Sequence, residues 1–79
     1  MKRMDSLMKL ICKNNLSEIY DVGDKYLCKS LTADKEDKTV SKSDWLAYPL
    51  ALCLKWDFEP IDKEYLNNLS EQLNKNMNN

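Results

Sequence analysis

The 79-residue chain contains no histidine, and this absence bears on most of the chemistry that its other side chains can perform. Histidine is the commonest general base, the usual activator of a serine or cysteine nucleophile and the most frequent metal ligand. A cysteine nucleophile would need another activating group, and Cys12 has Lys9 and Lys13 nearby in sequence, whose charges favour a thiolate. We interpret Cys12 instead as a cysteine on a helix face beside surface lysines. The sequence therefore predicts a protein that is not an enzyme.

The three cysteines, Cys12, Cys28 and Cys53, do not have the spacing of a metal site or of a redox pair. Each stands among apolar residues, which is typical of reduced thiols packed in a core as small apolar groups. An odd number of cysteines also argues against a disulfide scaffold. The pattern predicts a protein of the reducing cytoplasm, with no metal and no cofactor.

Carboxylates are the remaining groups with catalytic or metal-binding chemistry. Paired carboxylates could serve a hydrolase or a magnesium site. Their spacing does not match a calcium-binding loop, however, and the single glycine, Gly23, is not placed for one. We interpret most of them as solvated side chains and helix caps. The exception is the segment 57–64, which holds four acids within eight residues.

Aromatic side chains accompany the acids of this segment. Trp56 and Phe58 stand at the end of a predicted helix beside these charges, and aromatic residues commonly anchor protein interfaces. An acidic rim around aromatic side chains would suit a basic protein partner. The candidate partner-binding residues are Trp56, Asp57, Phe58, Glu59, Asp62 and Glu64.

The net charge is only -1, although 32% of the residues are charged. Such a balance gives no long-range field to attract nucleic acid or an anionic membrane. All basic residues except Arg3 are lysines, whereas nucleic-acid readers favour arginine. The longest apolar run, Trp45–Leu54, is about half the length that spans a bilayer. We expect no direct binding of nucleic acid, no membrane insertion and a cytoplasmic location.

The spacing of apolar residues predicts an all-α fold, a small irregular four-helix bundle in one domain, 1–79. The predicted helices lie near 4–14, 17–32, 43–56 and 61–74. The charged segment 33–42 is expected to be an exposed loop, and 75–79 a frayed tail. The helix at 43–56 is apolar on all sides, which predicts that neighbouring helices enclose it.

Two of these helices have an alternative. Gly23 weakens the helix at 17–32, and the strand-forming residues around it would also suit a hairpin that turns at Val22–Asp24. The helix is favoured because a lone two-stranded hairpin is barely stable and no other segment indicates a strand. Pro49 either bends the helix at 43–56 or is its first residue.

A resemblance to a known family rests on Asp44–Leu69, which is D-W-L-A-Y-P-L-A-L-C-L-K-W-D-F-E-P-I-D-K-E-Y-L-N-N-L. This stretch, about a third of the chain, resembles the C-terminal helix pair of large helical immunity proteins that protect bacteria from polymorphic toxins. In those proteins an apolar helix is followed by a short acidic link that ends in a Tyr-Leu pair. The resemblance implies a role in binding and blocking a toxic enzyme, and it transfers no individual binding residue.

The leading hypothesis is a small non-enzymatic interaction module of bacterial or phage origin that binds and inhibits another protein. An immunity protein, an antitoxin or a phage inhibitor of a host defence enzyme would fit this description. The partner would be a basic protein or an enzyme that acts on nucleic acids. The alternative is a structural or regulatory homodimeric helical module without an inhibitory role.

Overall fold

The computed structural model describes residues 8–78, with the side chains of residues 8–75, and shows one sheet accompanied by two helices. The elements in chain order are β1 (Lys9–Lys13), β2 (Ser17–Asp21), β3 (Lys25–Ser30), β4 (Lys38–Ser41), α1 (Tyr48–Lys55), β5 (Glu59–Pro60) and α2 (Lys63–Asn78). The strand order is β4-β3-β2-β1-β5, and every neighbouring pair is antiparallel. The first four strands thus form a meander, and β5 pairs with the edge of β1 that the meander leaves open.

The fold is α+β, so the predicted all-α four-helix bundle is wrong. The segment 17–32 forms β2 and β3, the hairpin that the sequence offered as the alternative to a helix. Its turn depends on Gly23, whose φ of 112° lies in the left-handed region that suits glycine. Asp21 Oδ1 accepts the Gly23 N–H at 2.8 Å and braces the turn. The hairpin is stable because β1 and β4 pair with its two outer edges. It is therefore not an isolated two-stranded hairpin, which was the reason for favouring a helix.

The predicted helix at 4–14 is also wrong over its described part, because Lys9–Lys13 is β1; residues 4–7 lie outside the described residues. A β-bulge between Leu10 and Cys12 interrupts the pairing of β1 with β2. The bulge lets the consecutive residues Ile11 and Cys12 both enter the core, where each is 0% exposed. The sequence therefore lacks the strict alternation by which a half-buried strand is recognised.

The strand β4 occupies Lys38–Ser41, within the segment 33–42 that was expected to be a loop. It pairs with β3, with Val40 opposite Tyr26 and Thr39 opposite Leu27. Thr and Val favour strands, but the charged residues around them hide this preference. The partner strand, rather than local propensity, selects the extended conformation.

The helix α1 begins at Tyr48 and is shorter than the predicted helix at 43–56. Pro49 lies in its first turn, where no intrahelical bond requires a backbone N–H. The predicted enclosure of this helix on all sides is wrong. Pro49 and Leu52 are buried against the sheet, whereas Leu54 is 83% exposed.

The helix α2 begins at Lys63, close to the start of the predicted helix at 61–74. Asp62 Oδ1 accepts the backbone N–H of Tyr65 at 2.9 Å, which makes Asp62 its N-cap. The helix includes residues 75–78 of the predicted tail, and Asn79 lies outside the described residues.

The core lies between the two helices and one face of the sheet. It consists of Ile11, Cys12, Ile19, Tyr26, Leu52, Phe58 and Leu66. The opposite face of the sheet, here called the outer face, carries Leu10, Tyr20 and Leu27 in register. None of the described helices covers it, because both pack on the side of Ile19 and Tyr26.

Candidate protein-interaction surface

The predicted partner-binding residues, here called the predicted patch, include two aromatic residues that lie in different environments. Trp56 follows the last residue of α1 and is 53% exposed. Phe58 is only 9% exposed and belongs to the core. Trp56 therefore remains available to a partner, and Phe58 contributes to folding instead.

The four acids of the patch fall into two groups. Glu59 lies opposite Lys13 at the end of β1. Asp62 instead forms an ion pair with Lys9 at the start of β1, with 3.2 Å between Asp62 Oδ2 and Lys9 Nζ. Asp62 follows Glu59 by three residues, so their Cα atoms are at most about 11 Å apart, and the Asp62 N–H donates to the Ile11 carbonyl at 3.0 Å. The first group is Asp57 and Glu59, and the second is Asp62 and the exposed Glu64 in the first turn of α2.

Asp57 has an unfavourable backbone and an unfavourable electrostatic position. Its φ is 58°, and among the described residues it alone combines a positive φ with a side chain. The Phe58 N–H donates to the Leu52 carbonyl at 3.3 Å and closes the end of α1 around it. The carboxylate therefore lies at the negative end of the helix dipole, where a negative charge is destabilising.

Asp57 and Glu59 line an open concavity of about 490 Å³ at one end of the sheet. Its other lining residues come from β1, β2 and the segments that follow β1 and β3: Lys13, Asn14, Asn15, Glu18 and Leu31. Three carboxylates and one ammonium group give this concavity, here called the turn-end concavity, a negative balance. A positively charged side chain of a partner would suit it.

Two exposed leucines lie side by side at this end of the sheet: Leu16 on the β1–β2 turn, and Leu31, which follows β3 and lines the concavity. Asn14 Oδ1 accepts the N–H groups of Leu16 and Ser17, both at 2.8 Å, and so holds the β1–β2 turn in one conformation. The Leu31 N–H donates to the Leu16 carbonyl at 2.9 Å. Leu16 is 56% exposed and Leu31 is 47% exposed. We define the turn-end surface as Leu16, Leu31, Trp56, Asp57 and Glu59.

The sequence analysis did not identify Leu16 or Leu31 as surface residues. For Leu16 a local signal exists, because it directly follows Asn14 and Asn15, which favour turns. For Leu31 there is none, since its neighbour across the turn is set by the pairing of β2 with β3.

A second polar cluster lies at the opposite end of the sheet, around Asp21. Its Oδ1 accepts the Gly23 N–H at 2.8 Å and lies 2.9 Å from Lys42 Nζ, and its Oδ2 accepts the Tyr65 hydroxyl at 2.8 Å. Burial raises the pKa of Asp21, but the hydrogen bonds from these three groups outweigh burial and hold the pKa below its ordinary value. Both carboxylate oxygens have partners, so we interpret the cluster as a structural junction between β2 and α2.

The cysteine thiols do not form a reactive centre. Cys12 is 0% exposed, and burial raises its pKa, with the nearby Cys53 adding to the effect. Lys13 belongs to the outer face and the side chain of Lys9 is 59% exposed, so neither lysine stabilises a Cys12 thiolate in the core. Within residues 8–75, no three His, Cys, Asp or Glu side chains are grouped to hold a metal ion.

Comparisons of the chain with protein-family models, with curated proteins and with solved structures found no match. Neither of the two described helices is both long and apolar enough to cross a membrane.

Proposed function

We propose that the protein is a small non-enzymatic interaction module of bacterial or phage origin, which binds a partner protein through the turn-end surface and inhibits it. The observation that carries this proposal is the position of Asp57. Its backbone conformation and its place at the end of α1 both cost stability, yet its side chain is exposed beside Trp56. Unfavourable residues of this kind cluster at functional sites.

Apolar contacts would provide most of the affinity. Leu16, Leu31 and Trp56 each expose about half of their surface. Covering the exposed half of such a side chain contributes roughly 1 kcal/mol each. The β1–β2 turn is already ordered by Asn14, so little conformational entropy is lost when a partner covers Leu16.

The acidic concavity supports a partner with an exposed basic surface. Enzymes that act on nucleic acids carry lysine and arginine clusters to bind phosphates. A lysine or arginine in the concavity would meet Asp57 and Glu59, and the body of this protein would then exclude the substrate. Inhibition by occlusion needs no catalytic group, and it agrees with the role implied by the resemblance to immunity proteins.

The proposal can be tested by quantitative affinity capture from cells that express the natural partner. We expect the double variant Asp57→Lys/Glu59→Lys to retain the captured partner at least about tenfold less than the unaltered chain does, because two attractive charges become repulsive. The matched control is Asp24→Lys/Glu71→Lys, which changes the net charge equally at exposed positions, one in the β2–β3 turn at the opposite end of the sheet and one on α2. Circular dichroism of all three proteins checks that the fold is retained.

The captured partner is then purified, and its own activity is titrated with this protein. Inhibition should be lost with Leu16→Asp and with the double lysine variant, and retained with the control. Salt should weaken the inhibition, since the charges around the concavity are exposed. Equal capture and equal inhibition by all variants would show that the turn-end surface is not the binding site.

A further inference from the structure

Two rows of side chains cross the outer face of the sheet, and the first is apolar. Leu10 lies opposite Tyr20 and Tyr20 opposite Leu27, so the three occupy neighbouring strands at one level. Thr39 continues the row on β4. A contiguous apolar row on a sheet face that no described helix covers is typical of an interface.

The second row is charged and lies one level closer to the end of the sheet that carries the β1–β2 turn. Pairing in register places Glu59 opposite Lys13, Lys13 opposite Glu18, and Glu18 opposite Lys29. The sign of the charge therefore alternates across the four strands β5, β1, β2 and β3. Tyr20 joins the two rows, because its hydroxyl donates to Glu18 Oε1 at 2.9 Å.

We propose that the outer face binds a second copy of this chain in a symmetric, face-to-face dimer. A two-fold axis parallel to the strands and between β1 and β2 reverses the order of each row. A row of four alternating charges, once reversed, places every charge opposite its complement. Lys13 of one copy then meets Glu18 of the other, and Glu59 of one copy meets Lys29 of the other.

The apolar row fits the same axis, since Leu10 of one copy lies over Tyr20 of the other. The alternation of charge also distinguishes this occupant from others. A uniformly basic partner would be repelled by Lys13 and Lys29, and a uniformly acidic one by Glu18 and Glu59. A second copy satisfies all four charges, which is the self-complementarity that a two-fold interface requires.

This inference does not rest on the proposed function. It uses the outer face, whereas the turn-end surface is centred on Asp57, which is not a member of either row. Glu59 belongs to both surfaces, and Lys13 and Glu18 of the charged row also line the turn-end concavity. The variant Asp57→Asn should therefore leave self-association unchanged even where it weakens the binding of a partner.

Sedimentation equilibrium over a concentration series up to millimolar tests the dimer. We expect the unaltered chain to approach twice its mass of 9.3 kDa. Leu27→Asp places a charge in the apolar row and should keep the chain monomeric. The matched control is Leu54→Asp on α1, where the side chain is 83% exposed on the other side of the molecule; it should remain dimeric.

A charge exchange tests the two-fold arrangement itself. Lys13→Glu and Glu18→Lys each place like charges opposite each other in a homodimer, so each variant alone should be monomeric where the unaltered chain is dimeric. Mixed in equal amounts, the two variants restore both opposite-charge contacts between copies and should form a heterodimer. The mixture decides the question even if Leu27→Asp fails to fold.

Three results would overturn the proposal. One is a monomeric mass for the unaltered chain throughout the concentration series. Another is a mixture of Lys13→Glu and Glu18→Lys that does not associate. The third is dimerisation of each charge variant alone with undiminished affinity, which would place the interface elsewhere.

Discussion

Asp57 destabilises the fold in two ways, through its positive φ and through its negative charge at the end of α1, and one substitution should relieve both. Asparagine tolerates the left-handed conformation better than aspartate and removes the negative charge from the end of α1. We expect Asp57→Asn to raise the free energy of unfolding by about 0.5–1 kcal/mol, or the melting temperature by about 2–8 °C. Thermal melting measured by circular dichroism checks this.

The control for that measurement is Asp34→Asn, the same change at an exposed position between β3 and β4. It should leave the melting temperature unchanged. If Asp57→Asn lowers the melting temperature, Asp57 stabilises the fold and the basis of the proposed function is lost. If it raises stability but weakens the partner, Asp57 trades stability for binding.

Asp21 gives the stability a defined dependence on pH. Its pKa in the folded protein lies below the ordinary value of 3.8, so its ionised form stabilises the fold. That contribution is complete above about pH 4 and is lost as the pH falls toward the lowered pKa. Asp21→Asn should lower the free energy of unfolding by about 1–2 kcal/mol at neutral pH.

Urea unfolding over a pH series measures this contribution. The difference between the unaltered chain and Asp21→Asn should shrink steadily once the pH falls below about 4. Tyr65→Phe removes one of the hydrogen bonds to Asp21 and should give an intermediate profile. A difference that is the same at all pH values would show that Asp21 acts by packing rather than by charge.

Among the elements, the start of α2 depends on one side chain that makes two contacts of unequal weight. Asp62 caps the helix through the Tyr65 N–H and also pairs with Lys9, whose side chain is 59% exposed. Asp62→Ala should cost about 1 kcal/mol, since it removes the cap. Asp62→Asn keeps a capping oxygen and loses the ion pair alone, so its cost should be smaller.

Urea unfolding of the two Asp62 variants separates these contacts. Lys9→Met, which removes only the ion pair, is the matched control and should resemble Asp62→Asn. Equal destabilisation by Asp62→Ala and Asp62→Asn would mean that the ion pair, not the cap, holds the start of α2.

The sequence alone predicts some elements better than others. The difference depends on whether the residues that stabilise an element are near it in sequence or distant. The helix α2 carries its own signals, an N-cap at Asp62 and a repeating apolar face, so its position was close to the prediction. The strand β1 lacks alternation because its bulge buries both Ile11 and Cys12. The hairpin of β2 and β3 has a local signal at Gly23, but its stability comes from β1 and β4.

The candidate site shows the same division. Trp56, Asp57 and Glu59 are adjacent in sequence and were in the predicted patch. The burial of Phe58 between them follows from the return of the chain to β1, which no local pattern shows. The approach of Leu31 to this segment likewise requires the sheet to be formed.

At the scale of the whole molecule, residues 8–78 form two layers, and neither described helix covers the outer face of the sheet. With 79 residues the chain can bury only about 60–65% of its unfolded surface, and both described helices lie on the same side. Lys13, Glu18 and Glu59 belong both to the turn-end concavity and to the charged row of the outer face. On the two proposals together, partner binding and self-association exclude each other.

The strand order also sets a sequence of events during protein synthesis. The meander β1–β4 leaves the ribosome before α1, β5 and α2, and hairpins form within microseconds. At about 5–20 residues per second, the rest of the chain follows only seconds later. In that interval Ile19 and Tyr26 face water, and β1 has an unpaired edge until Glu59 and Pro60 emerge. A nascent chain at this stage presents an aggregation-prone sheet, and the segment 48–78, once synthesised, covers its apolar face and the free edge of β1.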